Sequence, residues 1–365
     1  MAVFVLAGGG TGGHVYPALA IGDELKRRGH EVLYYGDPDR LEGRVAPQRG
    51  YDFRPVKAMQ YPRGGLIGKI RFAFGLLWSV LANRRPIRKD KVDAILGVGG
   101  YISAPPILAA WSLGRRSAVH EANVVPGLAN QLCARVSDVV LLTYERTRGR
   151  MPGKAPKHLV GVPINKAILD GTRAEAAAKY GLDPSQPTVL FVGGSLGAAR
   201  LNELAIACAT QEGRGFQVLH LCGKRYHGEV EAALKAAGGV PEGVKLVDYE
   251  DRMADAYAMA DLVVARAGSS TLGEIAAVGK ASLLVPSPNV TENHQEENAR
   301  GLESVGAAEV LVEHGWDLES AVAKVVALAG DAPRLATMGE AARGQARLDA
   351  AERAADLVEA MVSGR

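Results

Sequence analysis

The sequence predicts an α/β protein of two wound halves, each built on a parallel sheet, and three observations carry that prediction. An apolar run at 2–7 leads into Gly8-Gly9-Gly10-Thr11-Gly12-Gly13 and then a helical pattern over 14–28. The unit recurs where 188–192 leads into Gly193-Gly194-Ser195-Leu196-Gly197-Ala198 and a helix from Arg200 onward. Elsewhere short apolar runs alternate with helix-like stretches, the rhythm of strands joined by crossover helices. Two such halves imply a cleft between them, the usual place for a ligand in folds of this kind.

Composition agrees. The 365 residues, 47% hydrophobic and 23% charged, suffice for two domains at about 150 residues each and exclude disordered and fibrous classes. The 44 glycines among 365 residues are about 12%, against a usual share of about 7%, which points to loops lined by backbone. Cys133, Cys208 and Cys222 have no C-x-x-C spacing, so a reducing compartment is expected and neither a disulfide framework nor a zinc site. A net charge of +3 is too mild for a dedicated nucleic-acid binder. The first residues hold no basic n-region and too short an apolar run for a signal peptide.

In chain order, strands are expected in the first half at 2–7, 31–35, 94–98, 117–120 and 139–142, with the first helix stopped by Gly29. Proline, glycine and lysine replace periodicity over 152–163, which sets the domain boundary there. A polar, alanine-rich helix over 173–180 and the turn Gly181-Leu182-Asp183-Pro184 follow. The second half takes strands at 188–192, 217–222, 244–247, 262–265, 281–285 and 308–311. An alanine-rich helical tail over 334–362 is long enough to pack back on the first half, giving a division into 1–162, 163–340 and a returning 341–365.

Single motifs leave alternatives open. Gly8-x-Gly10-x-x-Gly13 with Asp37 after the second strand admits a nicotinamide-dependent oxidoreductase. Gly8 and Gly13 have Walker spacing, but His14 and Val15 stand where the lysine and the metal-binding hydroxyl belong. Gly193-x-Ser195-x-Gly197 imitates a nucleophile elbow and would still need a His and an acid in later loops. Val124 stands where a zinc-protease helix begun by His120-Glu121 would need its second ligand, and Asp37-Pro38-Asp39 fits a turn better than a metal clamp.

The richest stretch is Arg266-Ala-Gly268-Ser269-Ser270-Thr271-Leu-Gly-Glu274, between a strand and a helix. Small residues at a helix start leave N–H groups for a diphosphate, and Glu274 is placed to bridge two ribose hydroxyls. The plainer reading makes Ser269, Ser270 or Thr271 a helix cap and Glu274 its capping-box partner. Asn293-His294-Gln295-Glu296-Glu297-Asn298 follows a strand end and would project polar groups at the same sheet edge. Over 66–82, Ile67, Ile70, Phe74, Leu77, Trp78 and Leu81 recur at helical spacing, flanked by Arg63, Lys69, Arg71, Arg84, Arg85, Arg88, Lys89 and Lys91. That stripe is too short and too charged to cross a bilayer but suits lying on an anionic one. Its plainer reading is an ordinary helix with its apolar face on the sheet.

Taken in order and spacing, six motifs resemble the MurG family across nearly the whole chain. They are Gly9-Gly10-Thr11-Gly12-Gly13-His14, Gly99-Gly100-Tyr101, His120-Glu121-x-Asn123, Gly193-Gly194-Ser195-x-Gly197-Ala198, Arg266-x-Gly268-x-x-Thr271-x-x-Glu274 and His294-Gln295-x-x-Asn298. This is a family of bacterial transferases that place N-acetylglucosamine on undecaprenyl-diphosphate-linked N-acetylmuramyl-pentapeptide. The resemblance implies a GT-B fold, two Rossmann-like domains with parallel sheets facing a central cleft and a C-terminal helix packed back on the first. It implies that the second domain holds most of the UDP-N-acetylglucosamine donor and the first the lipid acceptor.

On the donor side the resemblance implies Ser195 at the phosphate, Glu274 at the ribose, and His294 and Gln295 at the sugar hydroxyls. Backbone around Glu250, with Tyr249 beside it, would read uracil, and Arg266, Ser270 and Thr271 would line the nucleotide and diphosphate. Thr11, Gly12, Gly13 and Asn123 complete the donor set, while Gly12, Gly13, His14, Gly100 and Tyr101 face the acceptor. The implied reaction is a single inverting displacement of UDP by the acceptor's C4 hydroxyl, giving a β-1,4 link. His14, with an ordinary pKa of about 6.5, suits the base, with Glu121 or Asn123 orienting the acceptor. Helix N-termini would stabilise the departing diphosphate, so no cofactor or metal is expected.

The implied partners are the donor, the lipid-linked acceptor, an anionic membrane surface and other cell-wall synthesis proteins, with no nucleic acid. The implied location is peripheral, on the cytoplasmic face of the bacterial membrane, and Ile67, Ile70, Phe74, Trp78 and Leu81 are the expected membrane contacts. Two departures stand out. Gly161-Val162-Pro163-Ile164-Asn165 replaces the family's Gly-Asn-Pro-Val-Arg, so no linker arginine carries over, and Ala122 replaces the usual Gln. An oxidoreductase would leave Thr271, Glu274 and His294-Gln295 idle, and a mere nucleotide-sugar-binding module would leave the basic apolar stripe without a purpose. The nearest rival is a transferase of the same fold with another acceptor.

Overall fold

The computed structural model describes residues 1–58, 65–194, 196–290 and 293–363. The chain forms two compact units, Met1–Asn165 with Arg347–Arg365, and Lys166–Ala346. The first contains β1 (Val3–Ala7), α1 (Gly12–Arg27), β2 (Glu31–Gly36), α2 (Leu41–Gln48), β3 (Asp52–Pro55) and α3 (Leu66–Lys89). It continues through β4 (Ala94–Gly97), α4 (Ala104–Ser112), β5 (Arg116–Glu121), α5 (Leu128–Ala134), β6 (Val139–Leu142) and β7 (Lys157–Leu159). Its parallel sheet runs β3-β2-β1-β4-β5-β6-β7.

Both faces of this sheet are covered, so its central strands are apolar throughout. Phe4 and Leu6 of β1 join Leu19, Ile21 and Leu25 of α1 in one core layer. Val5 and Ala7 point the other way, to Leu33, Ile95 and Ile107.

The second unit contains α6 (Arg173–Tyr180), β8 (Thr188–Val192), α7 (Ala199–Thr210), β9 (Gln217–Leu221), α8 (His227–Ala236), β10 (Val244–Val247) and α9 (Met253–Met259). Then come β11 (Leu262–Ala265), α10 (Ser269–Val278), β12 (Ala281–Leu284), α11 (His294–Glu303), β13 (Ala308–Val310), α12 (Leu318–Ala329) and α13 (Ala332–Arg343). Its sheet runs β10-β9-β8-β11-β12-β13, again parallel. In each sheet the order reverses beside the first strand, between β1 and β4 and between β8 and β11. Those reversals are where wound sheets open a crevice at their carboxyl ends.

Three expectations change. The stretch 152–163 is not all linker, because it contains β7, a three-residue edge strand too short to show a period. The helical tail is two helices. α13 stays with the second unit, and α14 (Ala350–Ser363) packs Ala354, Ala355 and Val358 into the α1 side of the first unit's core. Arg28 at the end of α1 ties α14 down through Asp356 at 2.6 Å and Glu359 at 2.5 Å. Third, the apolar stripe of α3 faces outward: Ser79, Asn83 and Ile87 are buried, whereas Ile67 is 83%, Phe74 70% and Trp78 61% exposed. The ordinary-helix reading fails because the inward face is the one spaced at 79, 83 and 87.

Candidate active site

In the first unit two glycine loops meet at the sheet reversal. α1 begins at Gly12, two residues earlier than its periodicity suggests, so Gly13 and His14 lie in its first turn. The His14 Nδ1 lies 3.2 Å from the Gly9 carbonyl oxygen and 3.3 Å from Thr11 Oγ1. The loop after β4 comes close enough that a Cβ on Gly99 would sit 2.6 Å from His14 Cδ2 and one on Gly100 would sit 2.5 Å from Gly9 O. Gly9 N donates to Gly99 O at 3.3 Å. Thus Gly12, Gly13, His14 and Gly100 are brought together, with half-buried Tyr101 following directly.

The end of β5 supplies a different arrangement. His120 and Glu121 close a strand rather than open a helix. His120 is fully buried, with Nε2 3.2 Å from Gly161 O, and desolvation pushes its pKa down to about 4. Glu121, 1% exposed, accepts from Asn123 N at 2.9 Å, Gly127 N at 3.0 Å, Asn130 Nδ2 at 2.8 Å and Asn123 Nδ2 at 3.3 Å. Burial raises its pKa against those four donors. Its carboxylate therefore builds the loop that presents Asn123.

In the second unit the loops after β8, β11 and β12 share one sheet edge. Ser195 lies outside the described residues. Around it, a Cβ on Gly197 would meet Cys222 O at 2.3 Å, so the loops after β8 and β9 pack backbone to backbone. The cap of α10 is Gly268, with no side-chain hydrogen bond to the first turn. That overturns the capping-box reading. Glu274 lies a turn and a half into the helix and accepts instead from the Tyr257 hydroxyl at 2.9 Å. Burial pushes its carboxyl up to about 7 against that hydrogen bond. The Ser270 hydroxyl is buried without a hydrogen-bond partner among the described residues, and Thr271 beside it is half-buried.

Other donor-side candidates are engaged within their own unit. Arg266 Nη1 donates to Val285 O at 3.1 Å and Pro286 O at 3.3 Å and pairs with Glu313. Gln295 Oε1 accepts from Ser287 N at 2.9 Å, which ties the start of α11 to the loop after β12, and buried Asn298 donates to Ala267 O at 3.5 Å, which ties the helix to the loop before α10; His294 is its first residue. Glu250 accepts from Lys179 Nζ at 2.8 Å and the Tyr180 hydroxyl at 2.6 Å, leaving its backbone to define the loop after β10. Tyr257, Glu313 and Lys179 escape the sequence reading because each joins the site through a contact distant in sequence, and Asn130 because no motif marks it, although it lies only nine residues from Glu121.

Comparison with known proteins gives a consistent answer. Residues 4–142 match the glycosyltransferase family 28 N-terminal domain and residues 188–357 its C-terminal domain. A Halothermothrix orenii protein named UDP-N-acetylglucosamine--N-acetylmuramyl-(pentapeptide) pyrophosphoryl-undecaprenol N-acetylglucosamine transferase is 36% identical, over 99% of both chains. A Clavibacter sepedonicus protein of the same name is 40% identical over 100% of this chain and 98% of its own. The crystal structure of Acinetobacter baumannii MurG superimposes with a TM-score of 0.77 at 28% identity, covering 99% of this chain and 100% of that one.

Proposed function

The chain belongs to glycosyltransferase family 28, and from that premise we propose that it transfers N-acetylglucosamine from UDP-N-acetylglucosamine to N-acetylmuramyl-(pentapeptide) pyrophosphoryl-undecaprenol. The observation in this chain that carries the reading is the start of α10. There an uncapped helix N-terminus, a buried Ser270 hydroxyl and the Glu274 carboxyl offer a diphosphate its N–H groups and a ribose its acceptor. Residues 163–340 take the donor: Ser195 and the α10 start hold phosphate, Glu274 the ribose, Glu250 backbone the uracil, and His294 with Gln295 the sugar. Residues 1–162 take the acceptor on Gly12, Gly13, Gly100 and Tyr101. Arg266 acts by bracing the sheet edge through Glu313, and Glu121 by shaping the Asn123 loop.

In the reaction His14 Nε2 takes the proton of the acceptor's C4 hydroxyl while that oxygen bonds to the anomeric carbon. The bond from that carbon to the diphosphate oxygen breaks, UDP leaves with the electron pair, and configuration inverts to a β-1,4 link. Helix N-termini offset the charge gained by the leaving group. Calorimetric titration of the purified protein with UDP-N-acetylglucosamine, UDP-glucose and NADH tests the donor half. UDP-glucose is expected to bind about tenfold more weakly, the loss of roughly one good contact, and NADH not at all. NADH binding without UDP-sugar binding would overturn the assignment.

A seat on the cytoplasmic face of an anionic membrane suits the lipid-linked acceptor, and the outward face of α3 supports it. Ile67, Ile70, Phe74, Trp78 and Leu81 are exposed on a helix bearing Lys69, Arg71, Arg84, Arg85, Arg88 and Lys89 and no acid. Lys91 lies just beyond, and Arg63 lies outside the described residues. No helix among the described residues is long and apolar enough to cross a membrane. Placing glutamate at both Ile70 and Phe74 should weaken partition onto phosphatidylglycerol vesicles about a hundredfold with the circular dichroism unchanged. Undiminished binding would remove α3 from the membrane contact.

A further inference from the structure

We propose that Glu42 is a positioning residue that fixes the tautomer of His14 through the peptide bond between Gly9 and Gly10. The inference deepens the reading of His14 as the proton acceptor and rests on it. Glu42 stands in the first turn of α2 and is 0% exposed. Its Oε2 accepts from Gly10 N at 3.0 Å and its Oε1 from Asp37 N at 3.3 Å, and no cation among the described residues pairs with it. A carboxylate buried on backbone donors alone is costly, and the chain makes room for it. A Cβ on Gly9 would fall 2.0 Å from Glu42 Oε1, and one on Gly36 2.6 Å from its Cγ.

The N–H of Gly10 and the C=O of Gly9 are opposite ends of one planar peptide. Glu42 grips the N–H end, and the carbonyl end faces His14 Nδ1 at 3.2 Å. A carbonyl oxygen only accepts, so Nδ1 carries the proton in that contact and Thr11 Oγ1 accepts alongside it. The negative carboxylate polarises the peptide, makes the Gly9 oxygen a stronger acceptor, and leaves the imidazole lone pair on Nε2. The same peptide then stabilises the imidazolium formed when Nε2 takes a proton. This is the orienting role an acid plays behind a catalytic histidine, exerted here across an intervening amide. Other contacts fix where the loop sits: Tyr34 OH donates to Gly8 O at 3.1 Å and Gly9 N to Gly99 O at 3.3 Å. Neither holds the plane of the Gly9–Gly10 peptide.

Nitrogen NMR of protein labelled at histidine, with the His14 signal assigned by its loss in His14→Asn, reads the tautomer directly. The wild type is expected to show His14 in the Nδ1–H form when neutral. In Glu42→Gln the Nδ1–H population should fall, and kcat with the lipid acceptor should drop about thirtyfold while KM for UDP-N-acetylglucosamine stays within about twofold. A wild-type Nε2–H tautomer, or a folded Glu42→Gln protein whose Nδ1–H population is unchanged, would overturn the proposal, and the first result needs no variant to fold. If His14→Ala keeps its turnover while the tautomer responds to Glu42→Gln as expected, the relay stands and the base assignment alone falls.

Discussion

Replacing His14 with alanine is expected to lower turnover about a thousandfold while UDP-N-acetylglucosamine binding is unchanged. The hydroxyl of a sugar is a poor nucleophile until its proton has somewhere to go, and a positioned base supplies factors of about a hundred to ten thousand. His14 has the required placement: first turn of α1, beside the loop after β4, with Nδ1 turned to the Gly9 carbonyl. Nearby ionisable groups suit the task less well. His120 is fully buried with its pKa down to about 4, and Glu121 is held by four donors of its own loop. The substitution should leave the fold intact, because position 14 is half-buried and alanine favours a helix more than histidine does. Steady-state rates with the lipid acceptor, beside calorimetric donor titration, separate the outcomes. Near-normal turnover would reduce His14 to a loop-positioning residue.

How much of this could be read from the sequence depended on the range of the interaction. Strands such as Thr188–Val192 and Leu262–Ala265 announced themselves because a strand buried on both faces is apolar at every position. Helix α6 was legible from end to end, since Thr172 caps it through Glu175 N and Gly181, at φ +66°, closes it. β3 and β7 escaped because edge strands of four and three residues carry no period. The site divided along the same line. Glycine loops and the Arg266–Glu274 stretch are local in sequence and legible as candidates, whereas the groups that orient them arrive from elsewhere. Glu42 lies 32 residues from Gly10 and 28 from His14, and nothing near it marks a carboxylate that will be buried. Arg266 shows the complementary limit: its motif position suggests the diphosphate, and nothing local announces that Glu313, 47 residues on, pairs with its guanidinium.

Replacing Glu274 with alanine should weaken UDP-N-acetylglucosamine binding about a hundredfold at pH 8, the loss of two hydrogen bonds to a charged acceptor. The wild-type affinity should itself fall about tenfold between pH 8 and pH 6. The ionised carboxyl can accept from both ribose hydroxyls, whereas the protonated one places a donor against one of them. Burial has raised this carboxyl to about 7, so below that pH a proton must leave before the nucleotide binds, at a cost of about tenfold per pH unit. Above 7 the affinity levels off. A nucleotide sugar's diphosphate has no group titrating in this range, so the slope reports the protein. Calorimetry in two buffers of different ionisation enthalpy should count about one proton released at pH 6 and almost none at pH 8. Stability of the unliganded protein runs the other way. Because the folded pKa is raised above the unfolded 4.5, the contribution of Glu274 is full below 4.5 and is lost as pH rises through 7. Opposite signs for binding and folding exclude a trivial acid unfolding as the source of the affinity loss. A Glu274→Gln protein should bind weakly with no pH slope, and one that kept the wild-type slope would move the titrating group, and with it the ribose contact, away from Glu274.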